Sequence, residues 1–316
     1  MLAVMENITT AETVIAQLNV VSNAHRVFDT SVHDARLYGI SSELIDELVA
    51  IGLRYQGDKE GRQFDSDDLY NVSLYLGLPS IHKMAMRSWA KVFCKADRPR
   101  HLKLTYGLQE GVKHVGICDV LTSHGGYVRV QPTDQTAIYH ETVELAPSGV
   151  QVPADVRDLL NDLTREFAFY MLHDAIRWDL TFMQAQQIGE CGGFSKLLVQ
   201  EALARGRNAR QVFGILASPP FGTGHYWAEF EIDGNWVKFD PLMIQLLINQ
   251  KLLDPEVFGL DFSPAGALAT LAVVSGYDAI GAPILSCQSS QVFLKEPVVV
   301  ANGNGFPISI TVEAKE

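Results

Sequence analysis

Cys191 stands directly before two glycines and a helical run in GECGGFSKLLVQEALARGRNARQVFGI, residues 189–215. Alone it reads equally well as a small buried hydrophobe. The later stretch GHYWAEFEIDGNWVKFDP, residues 224–241, adds a histidine and an aspartate. Thiol, imidazole and carboxylate are the parts of a nucleophile, its general base and the group that orients the base. Whether they form one site depends on the elements that carry them.

His225 and Asp240 sit on a predicted hairpin around Asp233-Gly234, a strong two-residue turn signal. Pairing across that turn sets Ile232 opposite Asn235, Glu231 opposite Trp236, Phe230 opposite Val237, Glu229 opposite Lys238 and Ala228 opposite Phe239. One face then holds Tyr226, Ala228, Phe230, Ile232, Val237 and Phe239, and is expected to be core. The other holds His225, Trp227, Glu229, Lys238 and Asp240, with Glu229 and Lys238 as a cross-strand ion pair. His225 and Asp240 share that face, one diagonal step of about 7–8 Å apart. A carboxylate on one ring nitrogen fixes the tautomer and leaves the other for a sulfur. The alternative is an exposed histidine and an unrelated aspartate at a strand end.

A free cysteine is only about 3% thiolate at pH 7. Unsatisfied N–H groups at a helix start and a neighbouring imidazolium both favour the anion. The helix after Cys191 is well specified: Phe194, Leu197, Leu198, Ala202 and Leu203 form its apolar stripe, and Gly206 suits its end. Gly192 and Gly193 leave the sulfur and the backbone N–H groups open, at about 1 kcal/mol of helix propensity each. Oxyanion or substrate contacts are open among Gly192, Gln184, Gln186, Gln187 and Trp178, with Tyr226, Trp227, Phe221 and the SPPFGTG loop as an apolar lining.

Around these parts the chain reads as α+β. Residues 1–100 are mostly helical: SSELIDELVAIG from a serine cap to Gly52, with apolar Leu44, Ile45, Leu48 and Ile51; DSDDLYNVSLYLG from Asp65 or Ser66 to Gly77; and PSIHKMAMRSWAKVF with Ile81, Met84, Ala85, Trp89 and Val92 inward. HLKLTYGL, GYVRVQP and AIYHETVEL predict a small sheet before residue 150. Residues 153–178 predict a long helix opened by Pro153. Strand RQVFGIL, the hairpin and helix DPLMIQLLINQKLL follow, and the last fifty residues read as strands. A boundary near 150 divides an N-terminal region, 1–150, from a catalytic core, 151–316.

These residues resemble the transglutaminase-like superfamily, whose core is papain-like. That family has a G-x-C helix start, an R-x-x-G strand, then H-x-W-x-E, then W-x-x-x-D-P. Here they read Gly189-Glu190-Cys191, Arg210 to Gly214, His225-Tyr226-Trp227-Ala228-Glu229 and Trp236 to Pro241. The match covers roughly residues 160–245. The resemblance implies a nucleophile helix packed on an antiparallel sheet, with Cys191 as nucleophile, His225 as base and acid, and Asp240 as orienting carboxylate. It implies acyl transfer through a thioester acyl-enzyme, from an amide, peptide or carrier-protein thioester to an amine or to water, as in compact bacterial members. The paired CxxC motifs of the deglycosylating branch and the sandwich domains of the animal cross-linking enzymes have no counterpart. An amidase or cysteine-peptidase hydrolase, or a non-catalytic scaffold retaining the fold, are the alternatives.

Composition narrows the partners. The 316 residues are 47% hydrophobic, enough for a sizeable core. A net charge of −12 argues against nucleic-acid binding. Cys94, Cys118, Cys191 and Cys287 form no CxxC, which argues for free thiols in the cytoplasm. No signal peptide or membrane span is expected; the most apolar long segment, 265–287, is interrupted by Asp278 and several Gly and Pro. His140, Glu141 and His173 lack ligand spacing, NGNGF reads as a turn, and neither metal nor cofactor is expected.

Overall fold

A computed structural model describes residues 10–108, 118–121, 127–130, 139–218, 221–285, 292–294 and 309–313. Pro219, Pro220, Cys287 and the NGNGF turn lie outside the described residues. The chain divides into two compact units, residues 1–85 with 170–177, and residues 86–169 with 178–316.

The first unit contains α1 (Ala11–Leu18), β1 (Phe28–Ser31), α2 (Ser42–Ala50), β2 (Gln63–Asp65) and α3 (Ser66–Tyr75), with β1 and β2 antiparallel. Ser41 caps α2 by accepting the Leu44 N–H, and the chain leaves the helix at Gly52, φ 109°. Of the four apolar positions expected inside, Ile45 and Leu48 are buried and Ile51 is exposed. Asp65, not Ser66, caps α3, accepting from Asp67 and Asp68 at 2.9 and 3.1 Å. Arg26 ties the unit together. Its Nε donates to Asp68 Oδ2 at 2.7 Å and its Nη2 to Leu18 O at 2.7 Å.

Helix α4 (Ile81–Phe93) runs across the division between the units. Ala85, Trp89 and Val92 are buried as expected, but Met84 is 56% exposed. His82, Met86 and Phe93 also face inward, which centres the buried stripe on His82. At 100° per residue Met84 then lies nearly opposite.

The second unit holds β3 (Arg100–Leu108), β4 (Cys118–Leu121), β5 (Tyr127–Val130), β6 (Tyr139–Leu145) and α5 (Ala154–Glu166), then β7 (Ala168–Phe169), α6 (Leu180–Gln186), β8 (Ile188–Gly189), α7 (Cys191–Ala204) and β9 (Ala209–Leu216). It continues with β10 (Thr223–Ile232), β11 (Asn235–Phe239), α8 (Pro241–Asn249), β12 (Leu268–Tyr277), β13 (Pro283–Leu285), β14 (Val292–Leu294) and β15 (Ser309–Glu313). The predicted small sheet is differently built. Strand β3 pairs with β6, and also with the C-terminal β14 and β15, whereas β5 pairs only with β4 among the described strands. The helix expected over 153–178 stops at Glu166. Ala168 N–H donates instead to Gln187 O, starting the parallel β7–β8 pair. In the first unit, Asn71 takes both backbone groups of Met171 at 2.9 Å. These tertiary bonds outweigh local helix periodicity.

The main sheet is antiparallel, in the order β11-β10-β9-β12-β13. The β10–β11 register is the one expected from sequence, from Ile232↔Asn235 to Ala228↔Phe239. Asp233 and Gly234 have φ of 52° and 77°, the left-handed pair of a type I′ turn. Ala228, Phe230, Ile232, Val237 and Phe239 are buried, and Phe230 meets Phe239 edge-on at 5.4 Å. Helix α7 lies over this face, because Gln211, opposite Ala228 in the register, bonds to its first turn. The second face, with His225, Trp227 and Glu229, is buried too. Helix α7 is buried at Phe194, Leu197, Leu198 and Ala202; Leu203 is 53% exposed, contrary to the stripe expected. No helix among the described residues is long and apolar enough to cross a membrane.

Candidate active site

Glu190 is the N-cap of α7 and Cys191 its first residue. The cap carboxylate accepts the Gly193 N–H at 3.4 Å through Oε1, and its Oε2 lies 3.5 Å from the Cys191 sulfur. The sulfur is therefore held at the positive end of the helix dipole. Gly192 has no room for a side chain: a Cβ there would stand 2.4 Å from Trp178 Cη2 and 2.9 Å from Glu190 Oε1. The Trp178 ring lies against the backbone beside the sulfur and meets Tyr226 edge-on at 5.5 Å.

His225 comes from β10, in register with Gly214 of β9. Asp240 follows β11 immediately and caps α8. Its Oδ1 accepts the Met243 N–H at 3.3 Å, and its Oδ2 meets His225 Nε2 at 2.5 Å. Pro241 at the first position of α8 fixes the chain direction after the strand. His225 and Asp240 are 3% and 5% exposed, whereas Cys191 keeps partial access to solvent. The Cys191 sulfur is near enough to the same imidazole to favour its protonated form. Burial opposes a charge on His225, but the Cys191 sulfur and the Asp240 carboxylate outweigh it and hold the ring well above the usual imidazole range.

The remaining residues named from sequence are placed as follows. Trp178, Gly192 and Tyr226 adjoin Cys191's turn. Gln184 and Gln187 are exposed, Gln187 at a left-handed φ of 53° that ends α6. Trp227 is fully buried; its Nε1 points to Glu229 Oε1 at 3.3 Å and its ring stacks under His225 at 6.3 Å. It braces the histidine from within the core. Phe221 has its carbonyl held by Trp89 Nε1 at 2.7 Å, and the Ser88 and Ser218 hydroxyls are bonded at 2.8 Å, so α4 anchors the loop leading to His225.

Glu229 pairs differently from expectation. Arg210, opposite it on β9, reaches it at 2.6 and 2.9 Å, and Thr270 Oγ1 donates to it at 3.1 Å. Lys238 Nζ donates to Leu268 O at 2.7 Å. Gly214 is required by packing: a Cβ would fall 2.0 Å from Ala269 O and 2.4 Å from Trp227 Cη2. Three residues escaped sequence reasoning. Glu190 carried a legible signal, a carboxylate preceding a helix start. Arg210 stood in the R-x-x-G strand of the resemblance without a partner assigned to it, and Gln211 carried no signal, because the register of β9 on β10 is not fixed by a local turn.

Residues 158–241 match the family model of the transglutaminase-like superfamily. The matched span begins in α5 and ends at Pro241, enclosing Cys191, His225 and Asp240. No curated protein matches the chain. A crystal structure from Cytophaga hutchinsonii, of a protein proposed to be a cysteine protease, is similar at 16% identity, over 68% of this chain and 88% of that one, with a TM-score of 0.32. That superposition is too loose for any function to follow from it.

Proposed function

We propose that the transglutaminase-like core of residues 158–241 carries a cysteine-dependent acyl-transfer site, with Cys191 as nucleophile, His225 as acid and base, and Asp240 as the orienting carboxylate. The observation that carries this reading is the buried imidazole held by Asp240, Oδ2 at 2.5 Å from Nε2, with the Cys191 sulfur near enough to favour its protonated form. Asp240 engages Nε2, which leaves Nδ1 to exchange a proton with the sulfur.

For reaction, the Cys191 thiol passes its proton to His225, which gives a thiolate and an imidazolium. The thiolate attacks the carbonyl carbon of an amide or thioester. The imidazolium protonates the departing amine or thiol as its bond to carbon breaks, leaving an acyl thioester on Cys191 and a neutral His225. An amine or water then gives its proton to His225 and attacks, and the sulfur leaves as thiolate. Backbone N–H groups at the start of α7 support the oxyanion. Gly192, without a side chain, lets the Trp178 ring close against the first turn, and Trp178 and Tyr226 together give that side an apolar wall. A peptide, amide or carrier-bound thioester is the donor class. A reducing compartment such as the cytoplasm keeps the thiol available.

The test is turnover of model acyl thioesters and anilides, with and without a primary amine. Amide product marks transfer and free acid marks hydrolysis. The reading expects one of these from the wild type and neither above background from Cys191→Ala. Equal rates in the two proteins would overturn it.

A further inference from the structure

Gln211 is 2% exposed on β9, and its amide is bonded at both ends. Nε2 donates to Gly192 O at 2.7 Å and to Ser195 Oγ at 2.8 Å. Ser195 Oγ in turn donates to Gly192 O at 3.0 Å. Oε1 accepts from Tyr277 Oη at 2.8 Å. Tyr277 lies on β12, 36% exposed, with Lys196 Nζ 4.3 Å above its ring and that amine donating to Gly281 O at 2.8 Å.

Three elements, β9, β12 and α7, therefore meet at the carbonyl of the residue after Cys191. That carbonyl lies in the first turn of α7, one residue from the sulfur, in the turn whose Gly193 N–H is capped by Glu190. A two-glycine start has no side chains to hold it and unusual backbone freedom. The Glu190 cap and Ser195 hold it from within, through Gly193 N–H and Gly192 O, and Gln211 adds the bonds that hold it from the sheet. We propose that Gln211 is a positioning residue, one that clamps the first turn of α7 and so sets the orientation of Cys191 and of the N–H groups beside it. This rests on Cys191 being the nucleophile of the proposed function, and it adds a residue that touches neither substrate nor sulfur.

Two readouts test it in the intact protein. One is the rate constant for alkylation of Cys191 by iodoacetamide near pH 6, which needs no acyl donor. The other is kcat and KM for a model thioester. Gln211→Leu keeps the volume and removes every bond, and a displaced nucleophile costs up to about 100-fold in kcat with KM little changed. Slower alkylation should accompany it. A merely structural Gln211 would lower the thermal midpoint and leave both rates at wild-type values, which would overturn the proposal. Should Gln211→Leu not fold, Tyr277→Phe removes one bond of the same clamp and Ser195→Ala two, and each should slow both readouts. Wild-type rates in both variants would equally overturn it. If the wild type turns over no donor, the proposed function fails, while the alkylation comparison still decides the clamp.

Discussion

His225 is buried, yet it is held in the charged form by the two groups it touches. Its folded-state value lies above its unfolded one, so the stabilisation its proton brings is full below about pH 6.5. It fades as pH rises through the folded value. Cys191→Ala removes one of the two supports, so the His225 titration followed by NMR should move downward; an unmoved titration would mean that the sulfur does not act on the ring. For turnover, Cys191→Ser and His225→Ala should be the most damaging changes and Asp240→Asn the mildest, each with an intact fold by circular dichroism. At this scale the sequence was most legible, because alternation along one hairpin was enough to put His225 and Asp240 on one face. The partners of Gln211 and Arg210 were illegible because no tight turn fixes how β9 meets α7 and β10, as Asp233-Gly234 fixes the hairpin.

The β10–β11 hairpin was readable to the residue, since a type I′ turn and strict alternation leave one register. Phe230→Ala should therefore destabilise the protein by about 3–5 kcal/mol in denaturant unfolding, and an unchanged midpoint would reverse the face assignment. The stretch 153–178 was misread as one helix, because Phe167 to Phe169 keep helical spacing while their backbone is used by β8. Helix α4 was read with its stripe off centre because His82 counts as polar in a pattern yet is buried. Tyr38 stacks on it at 5.2 Å and Tyr70 meets it at 4.4 Å; neither ring nitrogen has a hydrogen-bond partner among the described residues. Burial pulls His82 down to about 4. The unfolded chain thus takes the proton first, and stability is lost as pH falls from about 6.5 toward 4, by on the order of 3 kcal/mol. His82→Phe should flatten that part of the stability–pH curve; a curve as steep as wild type would assign the loss to other groups.

Across the whole molecule, class and core were legible from periodicity and turn chemistry, and long-range pairing was not. The C-terminal strands β14 and β15 join β3, some 200 residues earlier in the chain, and nothing local announces such a partner. The β9–β10 register that joins Arg210 to Glu229 was hidden differently, because the connection between these consecutive strands has no two-residue turn to fix it. The proposed function requires an acyl group held on a single sulfur. Intact-mass spectrometry after exposure to acyl thioesters and amides tests that most directly. One added acyl group, mapped to Cys191 and discharged by amine or water, is the predicted result. An unmodified wild type with every donor class, or an adduct that persists in Cys191→Ala, would contradict it.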